Sequence, residues 1–600
     1  MSRTLLGVVC CVALAGAANP AWPGDAGDAR LTPAAIDALL AARWAEAGLT
    51  PSAPCTDLEF LRRVSLDLTG AIPSLDETRA FQADQAADKR TRLVERLLGS
   101  RAFAQHWTDV LELAWLDRPT ELQRANREAF RRWLESRLAE GAGLDATIRE
   151  MLLATGDQRD VGQSAYIIRY GGKAGDVAGA AARHFLGVQI QCAQCHNHPY
   201  EAWTMADFRD LAAFFGRTAM VPVKGPDPKD LTKQKRVSWS VADTGVGGKA
   251  ERVMGGMDGG MDGGMDGDDD LSPRQRRQRE KRRADMEKRL EEMKAKNPER
   301  AEALEWARAT PRALGETAAF DVGERSRREG FADWLTGTGR ERFARALANR
   351  LWAQCFGRGL VDPVDDFSPR HPPTHPALLD RLATELAGGG WSLRGFLRLL
   401  TSTRAYQLSS APSADNAGDT EVYARAYIRQ LSPEQAFASL FQAAASGSMD
   451  TADERRRRFM LRARESFIDA FVVDLGNDDG DTVDAFQGSI PAALALLNGG
   501  LPNGAGPDQP AGRRGKQYRG RDRGRGRAPA GQGTVDRVLA AHSAPADRVR
   551  ALYLAVLVRE PSAAELERCT GHLAEATDAA EGCEDLLWAL VNSTEFLVSR

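Results

Sequence analysis

The sequence predicts a mostly α protein: two helical domains separated by a low-complexity and charged-helix insert, with few short strands. Three observations carry this expectation. Apolar residues recur at spacings of three and four along most of the chain. Period-two alternation is scarce. Two composition breaks, residues 254–267 and 502–533, interrupt the pattern with text from which no core can be built. The 600 residues are 43% hydrophobic and 27% charged, which is globular composition with room for more than one core. A wholly disordered or collagen-like chain is excluded. The net charge of −3, from 80 basic and 83 acidic residues, gives no global field to draw in nucleic acid or anionic lipid.

At the N-terminus, Arg3 precedes the apolar run Leu5–Ala18, and Ala15-Gly16-Ala17 offers a small-residue cleavage site. Residues 1–18 therefore read as a secretory signal, and the mature chain is expected to be exported to the periplasm or cell envelope. No later segment approaches about 18 consecutive apolar residues, so no transmembrane segment is expected in the mature chain. Cys10 and Cys11 fall inside the signal. Cys55, Cys192, Cys195, Cys355, Cys569 and Cys583 remain, too few for a disulfide scaffold.

The first domain is expected over 30–220. Ile36, Leu39, Leu40 and Trp44 mark one helix face, and Thr56 with Glu59 forms a capping box before Leu61, Val64 and Leu68. Ser74–Ala83, Arg90–Leu98, Phe103–Leu116 and Ala129–Leu138 continue the pattern. Short strands are expected near Tyr166–Ile168 and Val237–Val241. Residues 221–324 form a linker: three Gly-Gly-Met-Asp units, then dense charge with opposite signs four apart, such as Asp285 with Arg289, which reads as a solvated helix. The second domain is expected over 325–501, with its clearest helices at Phe343–Leu351, Pro376–Leu386, Leu393–Leu400 and Pro433–Ala443. In the linker 502–534, Arg513–Arg527 carries eight basic residues and one acid. In an exported protein this reads as solvated text, with no nucleic acid expected. Residues 535–600 return to helix as the end of the second domain.

The sharpest chemical signal is Cys192-Ala193-Gln194-Cys195-His196. Two thiols three positions apart can reach the two vinyl groups of a haem, and the adjacent histidine can then ligate iron axially. An oxidising compartment suits that attachment. Thr204 with Asp207 reads as a helix start, which puts the motif on a turn between helices. Three other readings stay open: a redox-active disulfide, a zinc or iron site built from Cys192, Cys195, His196 and His198, and cysteines that are simply structural. A sixth iron ligand is not selected by the sequence. His106 is one possibility; His184, Met205, Met220, His371 and His375 are others.

A second constellation follows at Asn349-Arg350, Gly357-Arg358-Gly359 and Asp362-Pro363-Val364-Asp365-Asp366-Phe367. Clustered carboxylates near arginine and histidine suit cation binding or acid/base work, so Asp362, Asp365, Asp366 and His375 are catalytic candidates. Loop capping and ion pairing between helices explain the same residues. No phosphate loop, dinucleotide fingerprint or nucleophile elbow appears.

The run Phe185-Leu186-Gly187-Val188-Gln189-Ile190-Gln191-Cys192-Ala193-Gln194-Cys195-His196-Asn197-His198-Pro199, with Trp203 and Leu211-Ala212-Ala213-Phe214-Phe215, closely resembles the planctomycete cytochrome c-like family, exported proteins of unknown function. Arg62 to Gly70 and His106 to Val110 resemble earlier motifs of the same domain. Phe343 to Ser410 resembles the planctomycete-specific domain that usually follows, and Leu586 to Phe596 its end. The resemblance implies a cytochrome-like protein that holds haem c through Cys192 and Cys195, with His196 as axial ligand. The Gly-Met-Asp repeat, the Arg/Gly tract and the absence of an arginine-rich run near Val473–Gln487 depart from the family pattern. Two functions follow as expectations: electron transfer or redox sensing with an envelope partner, or a non-haem scaffold that binds envelope partners or polysaccharide. An enzyme using the aspartates is a third.

Overall fold

The structure is a computed structural model that describes residues 30–118, 124–227, 230–243, 305–323, 325–445, 461–468 and 533–600. The signal run, the Gly-Met-Asp repeat, most of the charged helix, the acidic stretch Asp474–Asp484 and the Arg/Gly tract lie outside these residues.

The fold is mostly α, as expected. Helices Pro33–Ala47, Asp57–Thr69, Leu75–Ala83, Lys89–Leu98, Arg101–Leu116, Arg127–Glu140 and Leu144–Leu153 follow one another through short turns. Small polar residues start them: the side chains of Thr32, Ser74, Ser100 and Asn126 each accept a backbone N–H of the first turn. Ser74 and Glu77 form a full capping box. At Thr56 only half of the expected box forms. The hydroxyl accepts from Glu59 N at 3.2 Å, but the Glu59 carboxylate is drawn to Arg63 and to the Ser410 backbone, both at 2.9 Å.

Among the described residues, strand is confined to two small sheets. Thr218–Asp227 (β2) and Asp230–Asp243 (β3) form an antiparallel hairpin, and Gly156–Asp157 (β1) adds to β3, giving the order β1-β3-β2. The expected strand at Val237–Val241 is thus present within β3. The one expected at Tyr166–Ile168 is instead the short helix Ala165–Arg169. All three residues are fully buried, so tertiary burial on every side, not a pleated half-buried surface, accounts for that apolar run. Arg429–Gln430 (β4) pairs with Val598–Ser599 (β5), which ties the chain's end to its middle.

The later helices are Arg327–Thr336, Arg340–Phe356, Pro376–Gly388, Leu393–Thr401, Pro433–Ala445, 461–468, Thr534–Ala541, Pro545–Val556, Ala563–Glu575 and Ala579–Val591. One contiguous buried core runs from Leu31 to Phe596 through both expected domains. Buried arginines pin it. Arg62 is fully buried and donates to the carbonyls of Val556, Phe596 and Val598 at 3.2, 2.8 and 3.2 Å; burial lowers its pKa to about 10. Arg63 donates to Leu408 O at 2.9 Å and Arg600 O at 3.0 Å. Arg328 reaches Leu152 O, Ala154 O and Asp243 at 2.8 to 3.0 Å. A buried guanidinium without such partners would cost several kcal/mol, so these contacts fix how the two halves meet. Among the described residues, no helix is long and apolar enough to cross a membrane.

Candidate functional site

The motif is placed by an irregular helix end. Helix Ala174–Ala181 runs into a π-helical turn, Ala182–Leu186, and stops at Gly187 in the left-handed region, φ 65°. Such turns often lie at functional sites. Only glycine fits here: a Cβ at Gly187 would stand 2.5 Å from the Phe367 ring. A 3-10 turn, Gln191–Gln194, then carries the motif, with Ala193 buried and Cys192 and Cys195 exposed. The segment closes through His198 N donating to Trp203 O at 2.8 Å, and Met205 N donating to Asn197 Oδ1 at 3.1 Å. Thr204 and Asp207 form the expected capping box.

The two motif histidines are committed differently. His196 Nδ1 lies 2.8 Å from the Asn197 carbonyl. A carbonyl can only accept, so Nδ1 carries the proton and the Nε2 lone pair is left for a ligand. His198 is the reverse. Its Nδ1 accepts from Glu201 N at 3.0 Å and Tyr200 N at 3.3 Å, so its proton sits on Nε2. Among the described residues, no three His, Cys, Asp or Glu side chains stand together as a metal site; the four zinc candidates are neighbours in sequence without being gathered in space.

The donor set suits covalent haem. Both thiols are exposed, and the adjacent His196 imidazole has its Nδ1 held by a carbonyl, the arrangement that orients a ligating histidine through Nε2.

The second constellation rests on the motif's flank. Asn349 positions it, donating from Nδ2 to Val361 O at 2.8 Å and accepting from Val361 N at 2.9 Å. Phe367 N donates to Gly187 O at 2.7 Å, and Gln189 Nε2 donates to buried Asp365 at 3.2 Å. Arg370 lies over the exposed Tyr200 ring, 4.9 Å from its centre. Asp366 pairs with His371 Nδ1 at 2.8 Å. The four proposed catalytic residues do not converge. Asp365 accepts from Gln189 on the motif's flank, Asp366 is taken by His371, Asp362 pairs with Arg358 at 3.2 Å, and His375 is buried beside Tyr423, ring centres 5.7 Å apart. Burial, reinforced by Arg43, pushes His375 down to about 4. It shares no hydrogen bond with the aspartates.

Of the other ligand possibilities, His184 sits 2% exposed between Tyr166 Oη at 3.4 Å and Arg183 at 3.3 Å. Burial and then Arg183 hold it neutral, well below the usual imidazole range. His106 lines a separate cavity that includes no motif residue. Met205 is exposed next to the motif. The contacts missing from the sequence reading are Gln189–Asp365 and Tyr200–Arg370. Both join residues more than 150 positions apart, and no local pattern encodes them.

Residues 35–220 match the family model PSCyt2, a protein of unknown function (DUF1549), and residues 327–573 match PSD1, a protein of unknown function (DUF1553). No curated protein and no solved structure matches the chain.

Proposed function

From a chain that carries a PSCyt2 region followed by a PSD1 region, we propose that Cys192 and Cys195 would hold one c-type haem through thioether bonds, with His196 Nε2 ligating its iron. On this reading the protein is exported and relays electrons, or reports redox state, to a partner in the cell envelope. The observation that carries it is the His196 Nδ1 contact with the Asn197 carbonyl at 2.8 Å, beside two exposed thiols. That contact puts a proton on Nδ1, so in the neutral ring the lone pair is on Nε2. When bound, the group supplies one-electron exchange. The chain's own residues do the rest. Gly187 lets the backbone turn tightly out of the π-helical turn, buried Ala193 anchors the motif to the core, and Asp365 with Phe367 clamps the preceding segment through Gln189 and Gly187.

The test is the intact mass of protein made in a host able to attach haem c, beside a Cys192→Ala, Cys195→Ala variant. One haem added to wild type and none to the variant supports the proposal; unmodified, folded wild-type protein removes it. A second reading, a non-haem scaffold, is favoured by the clamp between the motif and the 365–367 loop. That contact would serve a purely structural role equally well, and unmodified wild-type mass selects this reading.

A further inference from the structure

The hairpin of β2 and β3 lies almost wholly between the two family matches and carries an exposed face. β1 pairs with β3 only at Ser240 and Val241, so over residues 222–239 the two strands continue as a ribbon. Register puts Trp239 opposite Pro222, Arg236 opposite Lys224 and Gln234 opposite Pro226. With the register shift after Val223, these six residues share one face. Pro222, Lys224 and Pro226 are exposed, while Val221, Val223 and Gly225 between them are half-buried.

Lys224 and Arg236 are the telling pair. Like charges directly opposite on one face repel and weaken a strand pair, and among the described residues neither is in an ion pair. Exposed Arg124, just before helix Arg127–Glu140, adds a third cation without an ion pair. Its guanidinium and that of Arg236 lie over the half-buried Trp239 ring, 5.0 and 4.8 Å from the centre. Residues 222–239 hold five basic residues against two acids, and both acids, Asp227 and Asp230, pair in register at the turn.

We propose that this face binds an acidic polysaccharide, a linear glycan bearing carboxylate or sulfate groups. Arg124 at the Trp239 row and the Arg236–Lys224 row follow one another along the ribbon, so successive anionic groups of one chain can meet successive cations. Exposed Pro222 and Pro226 flank Lys224 and give apolar footing to the C–H faces of sugar rings. A peptide adding as a strand fits less well. β2 is an edge of its sheet, and its two prolines have no N–H to offer a further strand. A single-stranded nucleic acid needs open aromatic rings for its bases, and Trp239 already lies under two guanidiniums.

The test is biolayer interferometry of the full chain against immobilised alginate and dextran sulfate, with neutral dextran, single-stranded DNA and phosphatidylserine vesicles as the other arms. Saturable, salt-sensitive binding to alginate or dextran sulfate is expected, tighter than to DNA or vesicles, with none to neutral dextran. Which of the two glycans binds distinguishes carboxylate from sulfate recognition. Lys224→Glu should weaken binding about tenfold without lowering the melting temperature, because it turns a repelling pair into an attracting one. Arg124→Gln, outside the sheet, should weaken binding too, and it stands if the first variant folds poorly. The Arg/Gly tract is intact in every protein, so glycan binding that either substitution leaves unchanged overturns the inference. So does the absence of glycan binding by folded wild-type protein, equal binding to neutral dextran, or tighter binding to DNA or vesicles. The Cys192→Ala, Cys195→Ala protein should bind the glycan as wild type does, which keeps this result separate from the haem proposal.

Discussion

Asp67 accepts two hydrogen bonds from the Arg429 guanidinium, at 2.7 and 2.8 Å, across 362 positions of sequence. Tyr406 Oη donates a third at 2.7 Å. Asp67 is buried and Arg429 half-buried, so removing the carboxylate would leave a largely desolvated guanidinium without its counter-charge. Asp67→Asn is expected to lower stability by about 3 kcal/mol, read from urea unfolding. A loss near zero would mean that the two halves are not joined through this pair.

Gly70 and Gly48 both end helices in the left-handed region, at φ 74° and 68°. They differ in what surrounds them. A Cβ at Gly48 meets nothing within 4 Å, whereas at Gly70 it would stand 2.5 Å from His106 Nδ1. Gly48→Ala should cost only the backbone strain, about 1 kcal/mol. Gly70→Ala should cost at least twice as much in the same unfolding experiment, because His106 must also move.

The cysteines should sort by burial. Cys192 and Cys195 are exposed, while burial pushes the thiols of Cys55, Cys355 and Cys583 above their ordinary range. Thiolate is the reactive form. In protein without haem, brief iodoacetamide treatment at neutral pH followed by peptide mass analysis should label Cys192 and Cys195 first. Early labelling of Cys355 would contradict the packing.

Three buried histidines predict an acid-sensitive fold. Burial lowers the pKa of His106, His184 and His375 from 6.5, the last to about 4. Between the folded and unfolded values the unfolded chain binds more protons, so stability rises with pH across that window. Their contribution is complete above 6.5 and is lost as pH falls toward 4. The melting temperature should drop over this range, and His375→Gln should make the drop shallower. A flat profile would place these imidazoles in water.

Much of this architecture is written locally. The helix faces of Ile36, Leu40 and Trp44 and the capping pair Thr204–Asp207 follow from spacing alone, and so does the turn that presents Cys192 and Cys195. What spacing does not encode is long-range geometry. Tyr166-Ile167-Ile168 reads equally as strand or helix until its burial on all sides is seen. Arg62 and Arg63 stand out in the sequence only as part of a resemblance; their partners at Val556, Phe596 and Arg600 explain why two adjacent arginines belong on an apolar helix. Asp365 and His375 look like one cluster in sequence, ten positions apart, yet they face different neighbours: Asp365 accepts from Gln189, and His375 packs beside Tyr423.

The central claim is covalent haem at Cys192 and Cys195, and an alkaline pyridine absorption spectrum tests it most directly. Protein from a host able to attach haem c should show a sharp reduced α-band that survives acid–acetone extraction and vanishes in the Cys192→Ala, Cys195→Ala variant. Folded wild-type protein without that band, or with one that acid–acetone removes, would contradict the account.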